Sequence, residues 1–137
     1  ATLAGQAFAN APVAAVHALA YPLGGHYHMP HGLSNALMLP AVLRFNAPAA
    51  EASYLELAPL LPEPVAPGLE GFVTWFEDLI ADAALPTNLS AADVPESDLP
   101  ILAADAMLQQ RLLVNNPVEV DEVAALALYT AAWSGSA

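Results

Sequence analysis

The apolar positions of this chain recur at spacings of three and four, and nowhere alternate over the length of a strand. Between Leu69 and Leu85, Phe72, Phe76, Leu79, Ile80 and Ala83 fall on one side with acids between them, the pattern of an amphipathic helix. Upstream, residues from about Leu3 to Ala20 predict one Ala-rich helix. Phe8, Val13, Val16 and Leu19 mark its apolar side and Pro12 bends it. Pro22–Pro30 contains Gly24-Gly25 and predicts a loop. A second helix starts at Pro30–His31, where proline suits the first turn, and runs through Leu37, Met38 and Val42 towards Asn46. After a turn at Asn46–Ala50, Glu51–Leu61 predicts a short helix and Pro62–Gly68 a linker. Pro86–Pro95 is a turn-rich connector, and Ser97 or Asp98 caps a helix from Pro100 to about Leu113. Asn115-Asn116-Pro117 stops that helix, and Val118–Trp133 forms the last one. The expectation is an all-α bundle of about six or seven helices, a single domain over residues 1–137.

Composition narrows the partners. Apolar residues make up 57% of the chain and charged ones 12%, against an ordinary charged share of about 25%. Some apolar faces are therefore expected to meet a missing domain or a second copy. The charges are fourteen acids against two arginines, Arg44 and Arg111, for a net −12. Phosphate backbones and anionic membranes are bound through Lys/Arg clusters, so nucleic acid and membrane are excluded as partners. Cysteine is absent, which removes thiolate metal sites and a cysteine nucleophile. No signal-peptide form or membrane span is legible, so the expected location is cytoplasmic.

All four histidines, His17, His26, His28 and His31, lie within fifteen positions. Imidazole is a common metal ligand and titrates near neutral pH. The spacing puts His17 at a helix end, His26 and His28 in a loop, and His31 at a helix start, with His17 and His31 at neighbouring ends of an antiparallel pair. Those two are the better metal pair. His26 and His28 read as exposed or hydrogen-bonded bystanders. A core histidine at His17 and a helix-end hydrogen bond at His31 are the plainer alternatives.

Gly5-Gln6-Ala7-Phe8-Ala9-Asn10, then His17-Ala-Leu-Ala-Tyr-Pro-Leu-Gly-Gly and Pro30-His31-Gly32-Leu-Ser-Asn35-Ala, resemble the second signature of the iron-containing (group III) alcohol dehydrogenases. Leu39-Pro40, Arg44-Phe45-Asn46-Ala47, Leu85-Pro86 and Asn116-Pro117 continue the likeness to the end of the chain. The resemblance implies the C-terminal part of that family's helical, dehydroquinate synthase-like domain. His17 and His31 then match two protein ligands of a catalytic Fe2+ or Zn2+. The other two, on an Asp-x3-His helix, have no counterpart here, nor has the nucleotide-binding domain with its Gly-Gly-Gly-Ser loop that binds most of the NAD(P).

The resemblance further implies a parent enzyme that exchanges hydride between NAD(P) and a small alcohol or aldehyde, with the isolated chain inactive. Phe8 matches a residue lining the substrate channel. Tyr21 stands where many members carry a further histidine near the nicotinamide. A phenol donates a hydrogen bond but is a poor proton shuttle at neutral pH. Two alternatives remain open: a non-catalytic helical association module, and a fragment of a metal-free maleylacetate-reductase-like enzyme. The Pro-His-Gly run and His17 follow the metal-binding branch.

Overall fold

The computed structural model describes residues 2–62 and 65–135. Among these there are six helices of eight residues or more, one single-turn helix and no strand, as the spacing of apolar positions predicts. The helices are α1 (Thr2–Asn10), α2 (Ala15–Tyr27), α3 (His31–Leu57), α4 (Gly68–Asp82), α5 (Leu99–Ala106), the one-turn α6 (Gln110–Leu113) and α7 (Glu122–Ser134).

Three of the misplaced boundaries lie at proline or glycine. The first expected helix is divided: α1 ends at Asn10, Pro12 lies in a break, and α2 starts at Ala15. The predicted Pro22–Pro30 loop is instead helix as far as Tyr27, with Pro22 and both glycines inside it. The reason is burial. Ala15, Ala18, Leu19, Pro22 and Leu23 are all buried, with α2 packed against α3, α5 and α6, and tertiary packing of that kind overrides weak local propensity. Pro22 has no N–H for the Ala18 carbonyl. At the next carbonyl, Leu19, the Tyr129 hydroxyl of α7 donates a bond of 2.6 Å. The helix stops where His28 takes a left-handed conformation at φ 52°.

The predicted turn at Asn46–Ala50 is also absent. α3 runs unbroken for 27 residues through Pro40 and Pro48, about 40 Å of helix. Its first half joins the main core with α2 and α7. Its second half is held by α4, where Leu43, Phe72 and Val73 form a second cluster and the Tyr54 and Phe72 rings stack at 5.6 Å. Arg44 adds ion pairs to Glu70 at 2.9 Å and Glu77 at 2.7 Å. The buried Asn46 exchanges two amide hydrogen bonds with Asn116, 3.0 and 2.7 Å long, tying α3 to the segment before α7.

The helix expected from Pro100 to Leu113 is broken by a 3-10 turn at Met107–Gln109. Asp98 occupies its cap position without capping it, because its carboxylate accepts from Tyr27 at 2.6 Å instead. The last helix begins four residues later than expected, at Glu122, with Asp121 as a true cap accepting from the Ala124 N–H at 2.7 Å.

Candidate functional site

His17 is the third residue of α2, and Tyr21 lies one turn further along the same helix. Residues four apart share a helix face, so both rings project to one side. His31 opens α3 with Pro30 before it at φ −54° and ψ 136°, the extended backbone from which a helix can start. The short connection from His28 to Pro30 returns the chain along α2. The outcome is that three aromatic side chains from two helices meet. The His17 and His31 ring centres are 5.2 Å apart, and those of Tyr21 and His31 are 6.1 Å apart.

The predicted pair is thus brought together, although His17 lies near the start of its helix rather than the end. His17 is half-buried, whereas His31 and Tyr21 are exposed. Burial first, and then the neighbouring His31, hold the His17 imidazole below its ordinary pKa. Its neutral form is favoured, and with it the lone pair a metal needs.

An apolar groove of about 440 Å3 borders His17, with Val16, Leu39, Val42, Leu43 and Tyr54 among its walls. Phe8 is elsewhere, on the exposed α1, and is not among the rings that meet.

The other two histidines take different roles. His26 is in the last turn of α2, not in a loop, and pairs with Asp105 of α5 at 2.6 Å. With the Tyr27–Asp98 bond this fastens the C-terminal end of α2 to α5. His28 is the exposed residue that ends α2. Neither joins His17 and His31. Among the described residues no group of three or more His, Cys, Asp or Glu side chains is placed to hold a metal ion. Two imidazoles are present, and catalytic zinc sites usually draw on three protein ligands. The donor chemistry fits one side of a metal site.

One further residue sits against the pair. Asn35, a turn beyond His31, places its amide nitrogen 3.0 Å from His31 Nε2 and 2.8 Å from the His31 carbonyl oxygen. Its i+4 spacing from His31 was a signal available in the sequence.

Comparison with known proteins defines the class. Residues 1–133 match the model of the Fe-containing alcohol dehydrogenase family, C-terminal. The chain is 41% identical to long-chain-alcohol dehydrogenase 1 of Geobacillus thermodenitrificans, covering 98% of the chain and 35% of that protein. It is 36% identical to 1,3-propanediol dehydrogenase of Klebsiella pneumoniae, covering 96% and 35%. The crystal structure of a 1,3-propanediol oxidoreductase superposes with a TM-score of 0.86 at 34% identity, over 96% of this chain and 35% of that one.

The chain belongs to the Fe-containing alcohol dehydrogenase family, as part of its C-terminal helical domain. It spans about a third of the length of these relatives. Among the described residues, no helix is long and apolar enough to cross a membrane.

Proposed function

We propose that this chain is the C-terminal, metal-binding helical portion of an NAD(P)-dependent alcohol dehydrogenase or aldehyde reductase, with His17 and His31 as two of the metal's protein ligands. The observation that carries the reading is the approach of those two imidazoles, from different helices, to 5.2 Å between ring centres.

Fe2+ and Zn2+ both suit imidazole ligands. The chemistry such an ion supplies is Lewis-acid polarisation of a substrate oxygen, which eases hydride exchange with a nicotinamide. The chain's own part is to hold and orient. His17, kept neutral by burial, presents its lone pair from α2. His31 does so from the first turn of α3. Tyr21, next to His31, offers a phenol hydroxyl as hydrogen-bond donor to a substrate oxygen. The groove beside His17 gives the organic part of an alcohol an apolar wall. Phe8 is assigned to the substrate channel of the complete enzyme. The remaining ligands and the nucleotide site come from polypeptide outside these residues. The exposed Leu3 of α1 and the exposed Leu126 of α7 are surfaces for that polypeptide to cover.

Co2+ titration of the chain, followed by its visible absorption, tests the ligand assignment. The expected result is weak binding that either His17→Ala or His31→Ala weakens by about tenfold or more, the scale of losing even a supporting residue of a metal site. His26→Ala serves as the unaffected control. Equal binding in all three variants removes the assignment. Turnover of alcohols with NAD(P) by the isolated chain would overturn the partial-site reading.

A further inference from the structure

We propose that Asn35 is a positioning residue that sets the tautomer of His31 and must release the His31 ring before that ring can take a cation. This deepens the metal-site reading and rests on it only for the second clause. The Asn35 amide nitrogen stands 2.8 Å from the His31 carbonyl oxygen and 3.0 Å from His31 Nε2. A backbone carbonyl oxygen has only lone pairs, so the amide atom facing it is the NH2 group. One of its hydrogens goes to the carbonyl and the other points at Nε2. Nε2 therefore accepts, and a neutral His31 carries its proton on Nδ1.

The rest of the Asn35 amide shows what holds it this way. Its Oδ1 is buried with no hydrogen-bond partner, the only such side-chain atom among the described residues. An unmade bond of this kind is costly. The two bonds through Nδ2 hold the amide in an orientation from which its oxygen gains nothing. Turned over in place, the oxygen would face the His31 carbonyl oxygen, acceptor against acceptor.

Cation binding and this hydrogen bond exclude each other. A cation on Nε2 needs the lone pair that the Asn35 N–H now occupies. A cation on Nδ1 displaces the proton there, and a neutral ring then carries its proton on Nε2, donor against donor with the Asn35 amide. By either route the amide moves away or turns over. Asn35 thus fixes the ring orientation and one tautomer without a cation, and competes with ligation. The same relation gives His31 a defined geometry although it lies exposed at a helix start.

The decisive measurement is long-range 1H–15N NMR of the imidazoles in the chelator-treated chain, at about pH 8, above the ordinary imidazole range. The wild type is expected to hold His31 as the Nδ1–H form. Asn35→Ala, which keeps a strong helix former in α3, shifts the tautomer ratio towards Nε2–H by about fivefold, the ratio one net hydrogen bond sustains. Asn35→Asp puts an acceptor where the His31 carbonyl needs a donor, so it loses the bond to Nε2 and shifts the ratio in the same direction. The His28 signals stay where they are in every variant. An Nε2–H form in the wild type, or an Nδ1–H form that persists in Asn35→Ala, overturns the proposal, and the wild-type spectrum alone can do so if a variant folds poorly.

Zn2+ titration tests the second clause. Asn35→Ala is expected to bind Zn2+ about fivefold more tightly than the wild type, by loss of the competing bond. Equal Zn2+ affinity in the two overturns the release requirement. If the tautomer responds as expected and Zn2+ binds none of the proteins, the positioning role stands and the ligand reading fails.

Discussion

Tyr129→Phe removes one oxygen atom from a side chain that has no solvent exposure at all. Its hydroxyl donates to the Leu19 carbonyl at 2.6 Å. That carbonyl follows directly on the Ala18 carbonyl, which Pro22 deprives of its helical donor. The bond therefore fastens α7 to the turn at which α2 is weakest, two residues beyond His17. Burial, with a smaller push from Asp105, raises the Tyr129 phenol far above its ordinary pKa, so the donor keeps its proton throughout the working range. A net hydrogen bond contributes about 1 kcal/mol, and taking a donor from a buried carbonyl costs more, up to about 3 kcal/mol where no second donor remains. Allowing for relaxation around the smaller ring, the expected loss is about 2 kcal/mol, or about 6 °C in Tm for a chain of this size. Urea unfolding followed by far-ultraviolet circular dichroism measures it, with the slope m unchanged between the two proteins. Amide exchange should quicken across α2 in the variant, because the anchor of that helix is what is lost. A loss below about 0.5 kcal/mol at equal m, within the range of ordinary surface substitutions, would refute the claim that this bond secures the turn at Pro22.

Two further substitutions probe other joints. Tyr27 donates to Asp98 at 2.6 Å, and burial foremost, then the Asp98 carboxylate, push its phenol up to about 12. Its contribution to stability is full below the unfolded value near 10 and is lost as pH rises towards about 12. The same bond, with a smaller one from Ser97, holds the Asp98 carboxyl below its ordinary value, so that contribution is full above about pH 4 and is lost as pH falls through the folded value. The gap in urea midpoint between wild type and Tyr27→Phe should be widest from about pH 5 to 9 and narrow on both sides; a gap that ignores pH counts against the assignment. Gly71→Ala would drive a Cβ into the Ala66 backbone carbonyl, which cannot swing away, whereas a Cβ at Gly25 meets open space. Urea unfolding should show a loss of about 1–3 kcal/mol for Gly71→Ala and a gain of about 0.5–1 kcal/mol for Gly25→Ala inside α2; equal tolerance at the two sites would contradict the close approach of α4 to residue 66.

How far the fold could be read depended on what kind of residue marked each boundary. The period of three and four was enough for the all-helical class, and it located α4 and α7 to within a few residues. Prolines and glycines misled. Pro22, Gly24, Gly25 and Pro48 all lie inside helices, as does Pro40, which the sequence already placed within one. The cost of each is local, whereas the burial that outweighs it involves Leu23, Leu37, Met38 and Val42 packed against partners distant in sequence. Pro12 does break the helix, and the described side chains of α1 bury nothing to oppose it, with Leu3 and Phe8 exposed. The same residue type gives opposite outcomes, and tertiary contact decides between them. Asp98 repeats the lesson in polar form: a good capping residue was taken instead by Tyr27, 71 positions away.

The candidate site was more legible than the helices carrying it, and for a physical reason. The approach of His17 to His31 does not depend on where α2 begins or ends. It needs a chain reversal between them and a helix face on each side, and both survive the misplaced loop. The reversal falls at His28–Pro30 rather than across the whole of Pro22–Pro30, and the two rings still come to 5.2 Å. What spacing could not supply was the partners of the other two histidines. His26 finds Asp105, 79 residues on, and so serves the fold instead of the pair. Nor could it show which ring nitrogen of His31 is engaged, since that follows from the hydrogen bonds of one amide side chain. A half-buried imidazole kept neutral beside an exposed one held by Asn35 is a pair in unequal readiness. As ligands, His17 would offer its lone pair directly, and His31 would first give up its hydrogen bond to Asn35. On the proposed metal-site reading, that inequality predicts that Asn35→Ala alters the cation affinity of the pair whereas a change at His26 does not.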